Sequence, residues 1–189
     1  MGEYPVKRRA VFLDRDGVLN QPIIRDRRPY PPALAAEFVI YDGVAEDCAR
    51  LKAAGFLLIV ATNQPDVGRG TQSRAEVEAM HKILLRNLPM LDSIEVCWHA
   101  GEQYGDDCDC RKPRPGMLFR AAVALQIDLA QSYLVGDRWR DVDCAHNAGC
   151  RAVLIDHSYD EPLRSQPDFI ARNFPEAVTA ILTDASGTE

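Results

Sequence analysis

Short, largely apolar runs that each stop at a polar residue set the strongest limit on how this chain can fold. Ala10–Leu13, Phe56–Ala61, Ser93–Trp98, Ser132–Val135 and Arg151–Ile155 have the length and β-branched content of buried strands. Stretches with helical spacing separate them. Gly43–Gly55 carries Val44, Cys48, Leu51 and Ala54 on one face. The segment after Ser73, with Glu76 completing an expected capping box, carries Val77, Met80, Leu84 and Leu88. Met117–Gln126 and Val142–Ala148 follow, and Pro175–Leu182 closes the chain before an end expected to fray from Asp184. Phe169-Ile170 reads as an edge strand. Strands buried on both faces and alternating with helices predict an α/β protein, a doubly wound, Rossmann-like parallel sheet with helices on both sides. At 189 residues one domain, 1–189, is expected. Only 21–41, rich in Pro and Arg and without a period, stands outside the alternation; it reads as a long functional loop without regular structure.

In such sheets ligands bind beyond the carboxyl ends of the strands. The polar residues that end the runs therefore converge. Asp14-Arg15-Asp16-Gly17 ends the first, Thr62-Asn63-Gln64 the second, and Gly136-Asp137 the fourth, with the helix-preceding Arg111-Lys112 between. Asp14 and Asp16 begin on the same side of an extended chain, and two carboxylates that close repel unless a cation or a proton intervenes. Mg²⁺ suits oxygen ligands and commonly adds a substrate phosphate. In that setting Asp14 can attack phosphorus while Asp16 handles the proton of the leaving group. The competing explanation of a lone D-x-D-G is an acidic helix cap and surface turn. The joint order favours phosphoryl transfer: Thr62 brings a hydroxyl, Lys112 a point charge and Asp137 a further carboxylate.

Charge agrees with this. The net charge of −6 speaks against general nucleic-acid binding. Only four of the 22 basic residues are lysine. Arg15, Arg25, Arg27, Arg28, Arg69, Arg111, Arg114, Arg138 and Arg140 fall in 21–41 or in loops after the expected strands, as bidentate phosphate contacts require. No apolar run reaches membrane-span length and Met1–Arg9 is polar and basic, so a cytoplasmic protein without a membrane partner is expected, monomeric by default.

A second constellation is Cys97-x-His99 with Cys108-x-Cys110. Three thiolates and an imidazole suit tetrahedral Zn²⁺, and four protein ligands make the site structural. It would staple the 97–110 loop just ahead of Arg111 and Lys112. Free thiols around a core Cys97 are the alternative. Cys48, Cys144 and Cys150 read as buried thiols, and His81 as a surface or half-buried helix residue.

Together these motifs resemble the haloacid dehalogenase (HAD) superfamily of phosphatases over nearly the whole chain. Phe12–Gly17, Thr62-Asn63-Gln64, Cys108–Pro113 and Pro115-Gly116-Met117 are similar to the D-glycero-D-manno-heptose 1,7-bisphosphate phosphatase branch, whose neighbour is the histidinol-phosphate phosphatase domain. The resemblance implies Asp14 as nucleophile through an aspartyl-phosphate, and Asp16 as general acid and then base. It implies Mg²⁺ on Asp14, the backbone carbonyl of Asp16, and Asp137, with Thr62 and Lys112 steadying the phosphoryl group. Arg111 and Arg138 would recognise substrate; Arg15, Asn63, Gln64 and Arg69 join them as candidates on the substrate side. A small phosphorylated sugar is the expected substrate, heptose bisphosphate first and histidinol phosphate or another sugar phosphate as alternatives. No inserted segment is long enough for a separate cap domain. A zinc-stapled, non-catalytic binding protein is the contrasting class. The chain departs from the family at Pro65-Asp66, where Ser-Gly is common, in a longer 21–41 loop, and in a shorter, acidic loop from His99 to Cys108.

Overall fold

The computed structural model describes residues 7–26 and 28–187; Arg27, one of the arginines singled out above, lies outside them. Six parallel strands form the main sheet: β1 (Ala10–Leu13), β4 (Leu57–Asn63), β5 (Ser93–Cys97), β6 (Tyr133–Gly136), β7 (Arg151–Ile155) and β8 (Phe169–Ala171). Their order is β5-β4-β1-β6-β7-β8. The chain builds outward from β1 through β4 to β5, then crosses back to build β6, β7 and β8 on the other side. The order thus reverses at β1, where a crevice for ligands is expected.

Alternation along β1 explains the two layers of helices. Val11 and Leu13 enter one core with residues of α1 (Val44–Ala53), α3 (Arg74–Asn87) and α6 (Phe174–Ser186). Ala10 and Phe12 enter the other with residues of α4 (Gly116–Leu125) and α5 (Trp139–Ala148). Every β1 residue is buried, as a central strand covered on both faces must be. Among the described residues no helix is long and apolar enough to cross a membrane.

Four local expectations need correction. Residues 21–41 are not without structure: β2 (Ile23–Arg25) and β3 (Arg28–Tyr30) pair antiparallel, and a 3-10 turn follows at Ala35–Glu37. Three-residue strands around a turn that places Asp26 at φ 49° leave no readable alternation. Ser73 precedes α3 without a side-chain cap bond; the Glu76 carboxylate accepts the Ala35 N–H instead, at 2.7 Å. Helix α5 begins at Trp139 rather than Val142, because the Asp141 carboxylate accepts the Arg138 N–H at 3.1 Å and supports an earlier first turn. At the far end α6 continues to Ser186, with Asp184 accepting from Tyr133 and Arg151.

Candidate active site

β1 ends at Asp14, whose N–H reaches across to the Val135 carbonyl of β6 (2.9 Å), so the first carboxylate leaves the sheet in a fixed direction. Gly17 turns the chain at φ 89°, and a Cβ there would lie 2.0 Å from Asp137 Oδ2. Only glycine allows the two acidic loops to close on each other. Gly136 serves the neighbouring contact, since its Cβ would stand 2.1 Å from that of Asp141.

Lys112 is buried at the centre of the result. Its Nζ lies 3.0 Å from Asp14 Oδ1 and 2.6 Å from Asp141 Oδ1. Burial disfavours its charge, but Asp14 and Asp141 outweigh that and hold its pKa above the usual value. Burial raises Asp14 to about 6 even though Lys112 opposes it, and Asp141 and Asp16 push the same way as burial. Asp137 is also raised, by burial first and then by Asp14 and Asp141. Oxygens of Asp14, Asp137 and Asp141 all lie within 4.8 Å of one another. Three crowded carboxylates share one lysine, so the cluster carries surplus negative charge. An all-oxygen set of this kind fits a hard divalent cation such as Mg²⁺.

Asp16 faces the same cavity and accepts on both oxygens. Asn20 Nδ2 donates to Oδ1 (3.0 Å), Gln64 Nε2 to Oδ2 (3.1 Å), and the Arg15 guanidinium to both (3.1 and 2.9 Å). Thr62 is buried on β4, and its hydroxyl accepts from Gln64 Nε2 (2.9 Å). Asn63 is tied to the Lys112 backbone in both directions, donating to its carbonyl (3.2 Å) and accepting its N–H (3.1 Å).

A cavity of about 220 Å³ opens over these groups. Asp14, Asp16, Asn63 and Asp137 form its floor; Arg69, Arg111, Arg138 and Arg140 line it; Pro22, Pro29, Tyr30 and Pro31 of the 21–41 segment make one wall. Arg138 is aimed by Glu161, which accepts from it and from Trp139 Nε1. Arg69 lies over the Tyr104 ring and pairs with Asp66 at 3.2 Å, so the unusual acid after Pro65 is matched by an arginine.

The substrate-side set is brought together only in part. Arg69, Arg111, Arg138 and Asn63 line the cavity, but Arg15 and Gln64 do not. Arg15 is fully buried and Gln64 nearly so, because both are spent on holding Asp16; the expectation that they face substrate is corrected. Asp141 and Asn20 were given no role from the sequence, whereas Arg140, one of the loop arginines singled out there, does line the cavity. The i, i+4 spacing of Asp137 and Asp141 was the available signal for Asp141.

At the end of β5, Cys97 pairs in register with Asn63. Its Sγ lies 3.6 Å from His99 Nδ1 and 3.7 Å from Cys108 Sγ, and Cys110 Sγ lies 3.3 Å from the same nitrogen. All four donor atoms fall within 4.8 Å of one another. A tetrahedron with Zn–S near 2.3 Å and Zn–N near 2.0 Å has edges of roughly 3.5–3.8 Å, close to these three separations, so the donor set suits zinc. Cys48, Cys144 and Cys150 are buried apart from it, each with its pKa pushed up to about 12 by burial.

A carboxylate pair, a buried lysine and a third acid at the switch point of a parallel sheet define a HAD-like phosphatase, a phosphoric monoester hydrolase. Residues 109–177 match the HAD-hydrolase-like family model. The D-glycero-D-manno-heptose-1,7-bisphosphate 7-phosphatase of Thermosynechococcus vestitus is 34% identical, over 93% of this chain and 96% of its own. The Escherichia coli K12 D-glycero-beta-D-manno-heptose-1,7-bisphosphate 7-phosphatase is 39% identical over 77% and 78%. Among solved structures, the B. bronchiseptica D,D-heptose 1,7-bisphosphate phosphatase complexed with magnesium and phosphate superposes with a TM-score of 0.76 at 29% identity, covering 93% of this chain and 99% of that one. The chain belongs to this heptose-bisphosphate phosphatase family of HAD-like hydrolases.

Proposed function

We propose that the protein hydrolyses a phosphomonoester of a small phosphorylated sugar, with D-glycero-D-manno-heptose 1,7-bisphosphate as the favoured substrate. The meeting of Asp14, Asp16, Lys112 and Asp137 at adjoining strand ends carries this reading. Asp14 attacks phosphorus and becomes an aspartyl-phosphate as the bond from phosphorus to the sugar oxygen breaks. Asp16 gives its proton to that oxygen, then takes one from the water that cleaves the aspartyl-phosphate. Thr62 and Lys112 steady the phosphoryl oxygens, with Asp141 anchoring Lys112. Mg²⁺, held by Asp14, the Asp16 carbonyl and Asp137, supplies neutralising charge for the phosphate when bound. Arg69, Arg111, Arg138 and Arg140 give the rest of the cavity its preference for anions.

Zn²⁺ on Cys97, His99, Cys108 and Cys110 is structural in this reading, and fixes the chain that delivers Arg111 and Lys112. Residues 1–189 act as one catalytic domain and a cytoplasmic monomer, without nucleic-acid or membrane partners, consistent with the acidic net charge. Phosphate release is measured on heptose bisphosphate, histidinol phosphate and simple sugar phosphates, with and without Mg²⁺. Mg²⁺-dependent turnover with heptose bisphosphate foremost is expected. Absence of activity on every phosphomonoester refutes the catalytic reading; a clear preference for histidinol phosphate refutes the substrate.

A further inference from the structure

Behind Asp16, away from the cavity, lies a polar contact that the chemistry above does not use. The Arg15 side chain is wholly buried. Its Nη2 donates to both oxygens of Asp16, and its Nη1 stands 3.2 Å from His81 Nε2. A guanidinium has no acceptor, so Nε2 must offer its lone pair and the imidazole must be neutral, with its proton on Nδ1. Burial and the adjacent Arg15 keep it so, lowering the His81 pKa to about 4. The ring is held on α3 against Trp98, with centroids 6.3 Å apart, and Phe38 faces the Arg15 guanidinium at 5.5 Å.

Arginine is planar and rigid, so its two ends cannot be aimed separately. Asn20 and Gln64 also hold the Asp16 carboxylate, but a guanidinium gripped by Asp16 alone could still tilt out of its plane. A second anchor on Nη1 fixes the plane of the guanidinium, and with it the carboxylate that Nη2 holds. A charged residue is buried with its direction set by a neutral acceptor, an arrangement that favours geometry over charge neutralisation.

We propose that His81 is a positioning residue for proton transfer: by accepting from Arg15 Nη1 it sets the orientation of the Asp16 carboxylate toward the leaving-group oxygen. The inference rests on the reading of Asp16 as general acid.

A purely structural His81 would affect all substrates alike, whereas a positioning role depends on the leaving group. The test measures single-turnover release of the leaving group by the full chain with Mg²⁺, from a sugar phosphate and from p-nitrophenyl phosphate. The sugar alkoxide needs a proton; the nitrophenolate leaves without one. His81→Met, which lacks the acceptor, is expected to slow the sugar phosphate by about tenfold or more and the aryl phosphate by less than about twofold. His81→Gln, whose amide oxygen can accept from Arg15, is expected to recover most of the loss. Equal slowing of both substrates, no slowing of either, or a His81→Gln protein as impaired as His81→Met overturns the proposal. Where thermal melts show that His81→Met does not fold, Arg15→Gln takes its place and must give the same sugar-selective loss; equal losses there overturn the proposal too. Asp16→Asn separates the two layers of the argument. If it slows both substrates equally, the reading of Asp16 as acid fails, whatever His81 does.

Discussion

Lys112 and His81 show two opposite ways to keep a basic group in the interior. Lys112 is charged because Asp14 and Asp141 surround it, and all three are needed to make the arrangement tolerable. His81 is neutral because burial and Arg15 both disfavour its proton. The histidine's state has a consequence for stability. Its pKa falls from 6.5 in the unfolded chain to about 4 in the fold, so the unfolded chain binds the extra proton between those values. Stability is therefore full above pH 6.5 and is lost as pH falls toward 4, by about 2 kcal/mol once residual solvent contact is discounted. Denaturant unfolding at pH 7.5 and 4.5 should show a smaller acid loss in His81→Gln than in the wild type. Equal losses would show that His81 is not held neutral. Lys112, Asp14 and Asp137 were legible in the sequence because each stands where a readable element begins or ends. Arg15 was expected beside substrate as a loop arginine, although the alternation that puts Asp14 and Asp16 on one side points it to the other, where it is buried.

Among the elements, the main-sheet strands and the five long helices were legible, apart from the ends of α5 and α6, because burial on two faces leaves continuous apolar runs and burial on one leaves helical spacing. The β2–β3 hairpin was not, since its wall of prolines and one tyrosine serves the cavity rather than a core. It is moored to α3 from outside: Gln72 Nε2 donates to the Pro32 carbonyl (2.9 Å) and Glu76 accepts the Ala35 N–H. Because this mooring positions a wall and touches no reacting group, Glu76→Ala should raise KM for the sugar phosphate by roughly three- to tenfold with kcat little changed. An unchanged KM would mean that the hairpin holds its place unaided. The 97–110 loop carries the opposite expectation. Cys97 adjoins Asn63 in the sheet, and Asn63 is bonded twice to the Lys112 backbone, so slack in the cluster passes directly to Lys112. Purified protein should contain one zinc per chain. Removing it, or Cys108→Ser, should lower the melting temperature and cut kcat by roughly ten- to a hundredfold. Full activity in zinc-free protein would contradict that role.

For the molecule as a whole, one topological fact organises the chemistry. The strand order reverses at β1, so the loops after β1 and β6 open side by side and bring carboxylate oxygens of Asp14 and Asp137 within 4.8 Å of each other. β4 on the other flank brings Thr62 and Asn63. Convergence of these ends was readable from the alternation of strands and helices. The arginine-lined cavity and the hairpin that walls it required the folded chain, because neither follows from any single element's pattern. In the proposed mechanism Asp14 accepts the phosphoryl group. Protein mixed for milliseconds with sugar phosphate and Mg²⁺, quenched in acid and mapped by mass spectrometry, reads that step directly. A phosphoryl adduct confined to the peptide bearing Asp14, and lost together with phosphate release in Asp14→Asn, is the predicted result; undiminished phosphate release from Asp14→Asn would contradict it.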